Sequence, residues 1–238
     1  MVTPIRSAAC TQAWTCARIT EAPHRMKSFN PPVKWIKPPI FASCLLPFMH
    51  LVWRGFHQDL GANPVEAIQT TTGIWTLNFL VITLSISPLR RVLNQPWLIR
   101  FRRMFGLFAF FYVCLHFTTY IWLDQSFDLH SILKDVAKRP FITAGFTAFV
   151  LLIPLALTST AGSIRRLGGA RWRKLHSLIY VSAIAGGVHY YWKVKSDVRV
   201  PVLYLTMIGL LLAIRVWSRL RARRATAGVL PATQAVKQ

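Results

Sequence analysis

Residues 171–192 read RWRKLHSLIYVSAIAGGVHYYW, an apolar run that carries a histidine near each end. It begins in a basic patch, passes through about one membrane thickness of Leu, Ile, Val, Ala and Gly, and ends in the aromatic cluster Tyr190, Tyr191 and Trp192. That is the composition of a transmembrane helix. His176 and His189 are 189 − 176 = 13 residues apart, roughly 20 Å along a helix axis, so one histidine lies near each membrane face. Thirteen steps of ~100° also leave the two side chains about 140° apart around an ideal helix. Either they address different neighbouring helices, or the helix is distorted, with Gly186 and Gly187 as the candidate point.

The surrounding chain supports a membrane reading. Its 238 residues are 53% hydrophobic and only 15% charged, with a mean hydropathy of +0.39, too apolar for an ordinary soluble domain. A formal charge of +22 would suggest nucleic acid in a soluble protein, but here the Lys and Arg cluster between and beyond apolar runs. Topology and anionic lipid explain them, and no nucleic-acid partner is expected. Cys10, Cys16, Cys44 and Cys114 have neither CxxC nor CxxCH spacing, which argues against a zinc site, a disulfide framework or covalent haem attachment.

Six apolar runs are each long enough to cross about 30 Å of hydrocarbon: 39–57, 69–87, 104–123, 140–158, 175–192 and 199–217. The expected fold is therefore an all-α polytopic membrane protein with six transmembrane helices and short connections. No internal repeat is evident. Residues 1–37 read as a basic N-terminal tail, 38–218 as the six-helix domain and 219–238 as a basic C-terminal tail. Met26 opens MKSFNPPVKWIKPP directly before the first apolar run, which makes it a candidate start.

Loop charge fixes the expected orientation. The first loop carries Asp59 and Glu66 without Lys or Arg, whereas the second carries Arg90, Arg91, Arg100, Arg102 and Arg103. The third is mixed, the fourth wholly basic, the fifth short, and the C-terminal tail basic again. Both termini should face the cytoplasm.

Orientation converts sequence position into depth. His116 lies 13 residues past Arg103 and His189 lies 15 past Lys174, each on an outward-running helix, so both sit about 20 to 22 Å above the cytoplasmic boundary. Two imidazoles at one depth on different helices suit bis-histidine ligation of a b-type haem. Intramembrane ionisable groups are functional candidates by default. His176, beside Arg171, Arg173 and Lys174, is open to three readings: sole ligand of a second haem, a quinone site, or part of a flavin seat. His50 is a reserve ligand, and His57 and His130 fall at the outer surface. No nucleophile with a base, phosphate-binding glycine loop, paired-carboxylate site or Rossmann fingerprint is present, so hydrolytic chemistry and nicotinamide binding are not expected.

A further set of motifs runs from about residue 33 to residue 217: LLPF (45–48), LGANP (60–64), SPLRR (87–91), LIRFRRMFGL (98–107), LHFTTY (115–120), RPFITAG (139–145), LTST (157–160), LHSLIY (175–180) and HYYWKVK (189–195). In these the chain resembles the MsrQ (YedZ) family, haem-binding membrane subunits related to ferric-reductase-like transmembrane domains. The resemblance implies a membrane cytochrome b that takes electrons from the quinone pool and passes them across the bacterial inner membrane. The acceptor it implies is a periplasmic molybdopterin-containing catalytic subunit of the MsrP type, which reduces methionine sulfoxide in oxidised proteins. It also implies haem b, one or two, and FMN, with haem-ligand positions on His116, His176 and His189. FMN matches no motif here. The chain would then be an electron-transfer subunit rather than the catalytic one. Two other classes compete: a transporter using the histidines as a relay, and a structural anchor for a partner.

Overall fold

The computed structural model describes residues 32–227, and within them the chain is helical without a strand. Nine α-helices run α1 Val33–Phe56, α2 Pro64–Val92, α3 Ile99–Thr119, α4 Leu129–Lys138, α5 Pro140–Leu157, α6 Ala161–Leu167, α7 Gly169–Leu175, α8 Leu178–Lys193 and α9 Arg199–Ala227. A single π-helical turn, Tyr120–Asp124, prolongs α3. The candidate start Met26, Cys10, Cys16 and the outermost tail residues lie outside the described residues.

Among the described residues, five segments are long and apolar enough to cross a membrane: Val33–Phe56, Pro64–Val92, Pro96–Asp124, Pro140–Leu157 and Arg199–Arg224. The chain is thus a multi-pass membrane protein. The run expected at 175–192 is interrupted. His176 ends α7 and Ser177 opens α8, which leaves a helix of 16 residues, about 24 Å long. The distortion falls at this junction and not at Gly186 and Gly187, which stay inside α8. The helices also reach further than the apolar runs. α1 begins at Val33, inside the expected tail, and α9 continues to Ala227 through the basic residues after Trp217.

Local chemistry sets the helix ends. Asn63 caps α2 by accepting from the Glu66 N–H at 3.2 Å and donates back to the Glu66 carboxylate, with Pro64 at the first helical position. Asp128 caps α4, accepting from the His130 N–H at 3.0 Å and the Ser131 hydroxyl at 2.6 Å. The connection LGGA at 167–170 is a one-residue break: Gly168 has φ 74°, which separates α6 from α7.

The helices pack as two close pairs, α2 along α3 and α5 along α8, with α9 against both pairs and α1 at the edge. The core lies between α2 and α3, where Leu80, Leu84, Phe79 and Tyr112 are almost wholly buried. Small residues bring α5 and α8 together. Ser182, fully buried, donates to the Ala148 carbonyl at 2.9 Å, and the neighbouring Ala183 has no exposed surface. Large apolar side chains such as Phe41, Val150, Val181, Leu203 and Leu210 point outward, as lipid-facing residues do.

Pro47 opens a gap in α1 that α3 fills. The Phe48 N–H, in the turn after Pro47, donates to the Tyr112 hydroxyl at 3.1 Å. That hydroxyl in turn donates to the Cys44 carbonyl at 2.9 Å. One buried side chain thereby satisfies both backbone groups and ties α1 to the bundle.

Candidate haem-binding cavity

A cavity of about 280 Å³ lies between the α2–α3 and α5–α8 pairs. His116 enters it from α3 and His189 from α8, with ring centres 6.0 Å apart and planes at 80°. Each ring is fixed from behind by the neighbouring helix. His116 Nδ1–H donates to the Gln69 carbonyl of α2 at 2.9 Å, and His189 Nδ1–H donates to the Phe141 carbonyl of α5 at 2.6 Å. Because each acceptor is a carbonyl, the proton sits on Nδ1 and the Nε2 lone pair is left for a ligand.

The two halves use one device twice. Four residues after each accepting carbonyl comes a glycine, Gly73 after Gln69 and Gly145 after Phe141, against which the imidazole packs. A Cβ on Gly73 would stand 3.2 Å from His116 Cε1, and one on Gly145 would stand 2.7 Å from His189 Nδ1. At 145 only glycine lets the ring reach the carbonyl, and at 73 a Cβ would crowd the ring by a few tenths of an ångström. The repeat is visible in the sequence as spacing: 116 − 73 = 43 and 189 − 145 = 44, with QTTTG and FITAG as the two helix segments. Residue similarity between them is too slight to announce it, so no repeat was expected.

The donor set fits a haem. Two neutral imidazoles from facing helices, each with its Nδ1 proton engaged and Nε2 free, are donors that would hold a haem iron. Among the described residues no third His, Cys, Asp or Glu joins these two, so a bare divalent ion would lack the protein donors it usually takes. The walls are otherwise apolar, with Leu77, Leu80, Val113, Phe117, Phe149 and Leu152, and Phe117 stacks on Phe149 at 4.5 Å. Polar residues gather at one end: Gln69, Thr70, Tyr120, Asp124, Arg139 and Lys193.

His176 stands apart. It does not line the cavity; its ring stacks on Trp172 at 3.8 Å, its Nδ1–H donates to the Trp172 carbonyl at 3.2 Å, and Nε2 lies 3.5 Å from the Ser159 hydroxyl. Thus His176 and His189 address different neighbours, and the helix is also broken between them. Near this end Arg215 of α9 donates to the Tyr180 hydroxyl and lies over its ring, while its Nη2 is buried without a partner. His50, His57 and His130 are exposed and line no part of the cavity.

Comparison with known proteins places the chain among its relatives. Residues 66–187 match the family model described as ferric reductase like transmembrane component. A protein-methionine-sulfoxide reductase heme-binding subunit MsrQ from Herminiimonas arsenicoxydans is 53% identical over 203 residues, covering 83% of this chain and 93% of the relative. Relatives of the same name from Azospira oryzae and Polaromonas naphthalenivorans are 51% and 47% identical, covering 78% and 80% of this chain and 80% and 91% of their own lengths. No solved structure matches the chain.

Proposed function

The chain belongs to the MsrQ family of haem-binding subunits of protein-methionine-sulfoxide reductase, and from that premise we propose that it is the membrane electron carrier of such a system. His116 of α3 and His189 of α8 are the residues that would hold a haem b between the two helix pairs. The observation that carries this reading is the pair of rings 6.0 Å apart, each Nδ1 tied to a helix carbonyl.

A haem bound there supplies a one-electron carrier whose potential follows its ligands and surroundings. The chain's own residues do the rest. The Gln69 and Phe141 carbonyls hold each proton on Nδ1 and orient both rings. Gly73 and Gly145 admit the rings to those carbonyls, and aromatic and aliphatic side chains form most of the wall around them.

In this reading α8, with α7 leading into it, completes a six-helix bundle whose termini are both cytoplasmic, in the bacterial inner membrane. The alternation of basic and acidic loops supports that orientation. Electrons enter from the quinone pool at the basic inner end, where His176, Trp172, Tyr180 and Arg215 gather. They leave at the outer end toward a periplasmic molybdopterin-containing catalytic partner, which repairs oxidised proteins by reducing methionine sulfoxide. FMN belongs to the proposal through family resemblance, without an assigned residue.

The test is an absorption spectrum of the detergent-purified chain, oxidised and dithionite-reduced, with haem and flavin extracted and counted. A b-type spectrum with one haem per chain supports the carrier. A colourless, flavin-free protein from haem-replete cells would instead favour a transporter or an anchor.

A further inference from the structure

We propose that Lys193 is the anchor for a haem propionate, so that the porphyrin sits with its carboxylate edge toward the outer, polar end of the cavity. The proposal rests on the haem reading above and adds its orientation. A b-type haem is an apolar disc with two carboxylates on one edge, and the cavity is polarised in the same way: apolar over most of its wall, polar at one end.

The charged residues at that end are Asp124 from the π-helical turn, Arg139 before α5 and Lys193 at the end of α8. Arg139 is already engaged, with Nε 3.2 Å from the Asp135 carboxylate, which also accepts from Gln125 at 3.2 Å. Asp124 is exposed and accepts from the Gln125 amide at 3.4 Å. Lys193 is different. It is half-buried, its Nζ approaches the Thr70 hydroxyl at 3.4 Å, and among the described residues it forms no ion pair. A partly desolvated ammonium on a cavity wall has an unmet need for an anion.

Position supplies the second argument. Lys193 follows His189 by four residues on α8, so it lies on the same helix face about 6 Å nearer the outer end. A ring held on the His189 side of the cavity therefore presents its edge to this lysine, with Thr70 of α2 as a second donor on the facing side. The carboxylate edge then faces the side from which an outer acceptor would approach.

The experiment uses the full chain produced in haem-limited cells, purified in detergent and titrated with haemin or its dimethyl ester. The six-coordinate Soret band reports occupancy. Wild-type protein should bind haemin at least about tenfold more tightly than the diester, the factor a single charge-assisted hydrogen bond supplies. Lys193→Met should erase most of that preference while keeping wild-type affinity for the diester, and Lys193→Arg should retain it. Equal affinity of the wild type for both porphyrins, or full preference in Lys193→Met, would overturn the proposal and leave the haem site standing. If Lys193→Met bound neither porphyrin, Lys193→Gln would take its place, with loss of the haemin preference expected and full preference overturning the proposal. No six-coordinate band with either porphyrin in the wild type would overturn the haem reading and the proposal with it.

Discussion

Gly145→Ala should separate the two halves of the haem site. The added Cβ would stand 2.7 Å from His189 Nδ1 and 3.0 Å from both Cε1 and Cγ, whereas unstrained carbon contacts settle near ~3.5 Å. The imidazole must therefore retreat by about 0.8 Å. Its 2.6 Å bond to the Phe141 carbonyl then lengthens past hydrogen-bonding range for good geometry. Loss of such a partner behind a metal-binding histidine typically costs about 10- to 100-fold in metal affinity. On α2 the crowding is milder, 3.2 and 3.3 Å from the His116 ring, so Gly73→Ala should cost only a few-fold. Gly106→Ala is the control: its Cβ would meet the Thr83 methyl at an ordinary 3.8 Å, and removing a helical glycine should be neutral or stabilising by about 1 kcal/mol. Haem per purified chain and midpoint potential would be read for all three. Wild-type haem content and potential in Gly145→Ala, or a larger loss in Gly73→Ala, would refute the role of the glycines.

Other outcomes follow from single contacts. Tyr112→Phe strands the Phe48 N–H and the Cys44 carbonyl beside Pro47, and should cost about 1–3 kcal/mol, seen as a lower unfolding midpoint in detergent; an unchanged midpoint would mean that α1 is held by packing alone. His176→Ala should slow reduction by quinol while leaving the spectrum in place, since His176 does not line the cavity; loss of the haem band would make it a ligand. The Ser131 hydroxyl and the N–H groups of Ser131 and His130 hold the Asp128 carboxyl below its usual range. A depressed value means that its contribution to α4 is present above the ordinary carboxylate pKa and lost only as pH falls through the lowered one. Asp128→Ala should accordingly speed amide exchange over residues 129–138 at neutral pH, and equal exchange in the two proteins would contradict the cap.

Membrane helices and the level of the histidines could be read from the chain because both depend on one-dimensional quantities. Apolar run length locates a span, and residues counted from a basic boundary give depth. Counting alone set His116 and His189 at one height, and they line one cavity. What counting could not reach is lateral. The amphipathic α4 was hidden in a connection with mixed charge, because its ten residues are too few to stand out as a periodic pattern. The break at Ser177 followed no proline or glycine. Gly73 and Gly145 looked like any glycine in a membrane helix until each was set beside the histidine of the next helix, 43 and 44 residues on. Lys193 closes an apolar run among other basic residues, and only the fold puts its four-residue offset from His189 on a cavity wall.

The central claim is that His116 and His189 together hold one haem. Low-temperature EPR of the oxidised protein tests it most directly, because the ring planes stand 80° apart and near-perpendicular axial imidazoles give a strongly anisotropic low-spin signal. That signal should be present in the wild type and absent from both His116→Ala and His189→Ala. A high-spin haem in the wild type, or an unaltered low-spin signal in His189→Ala, would contradict the pairing.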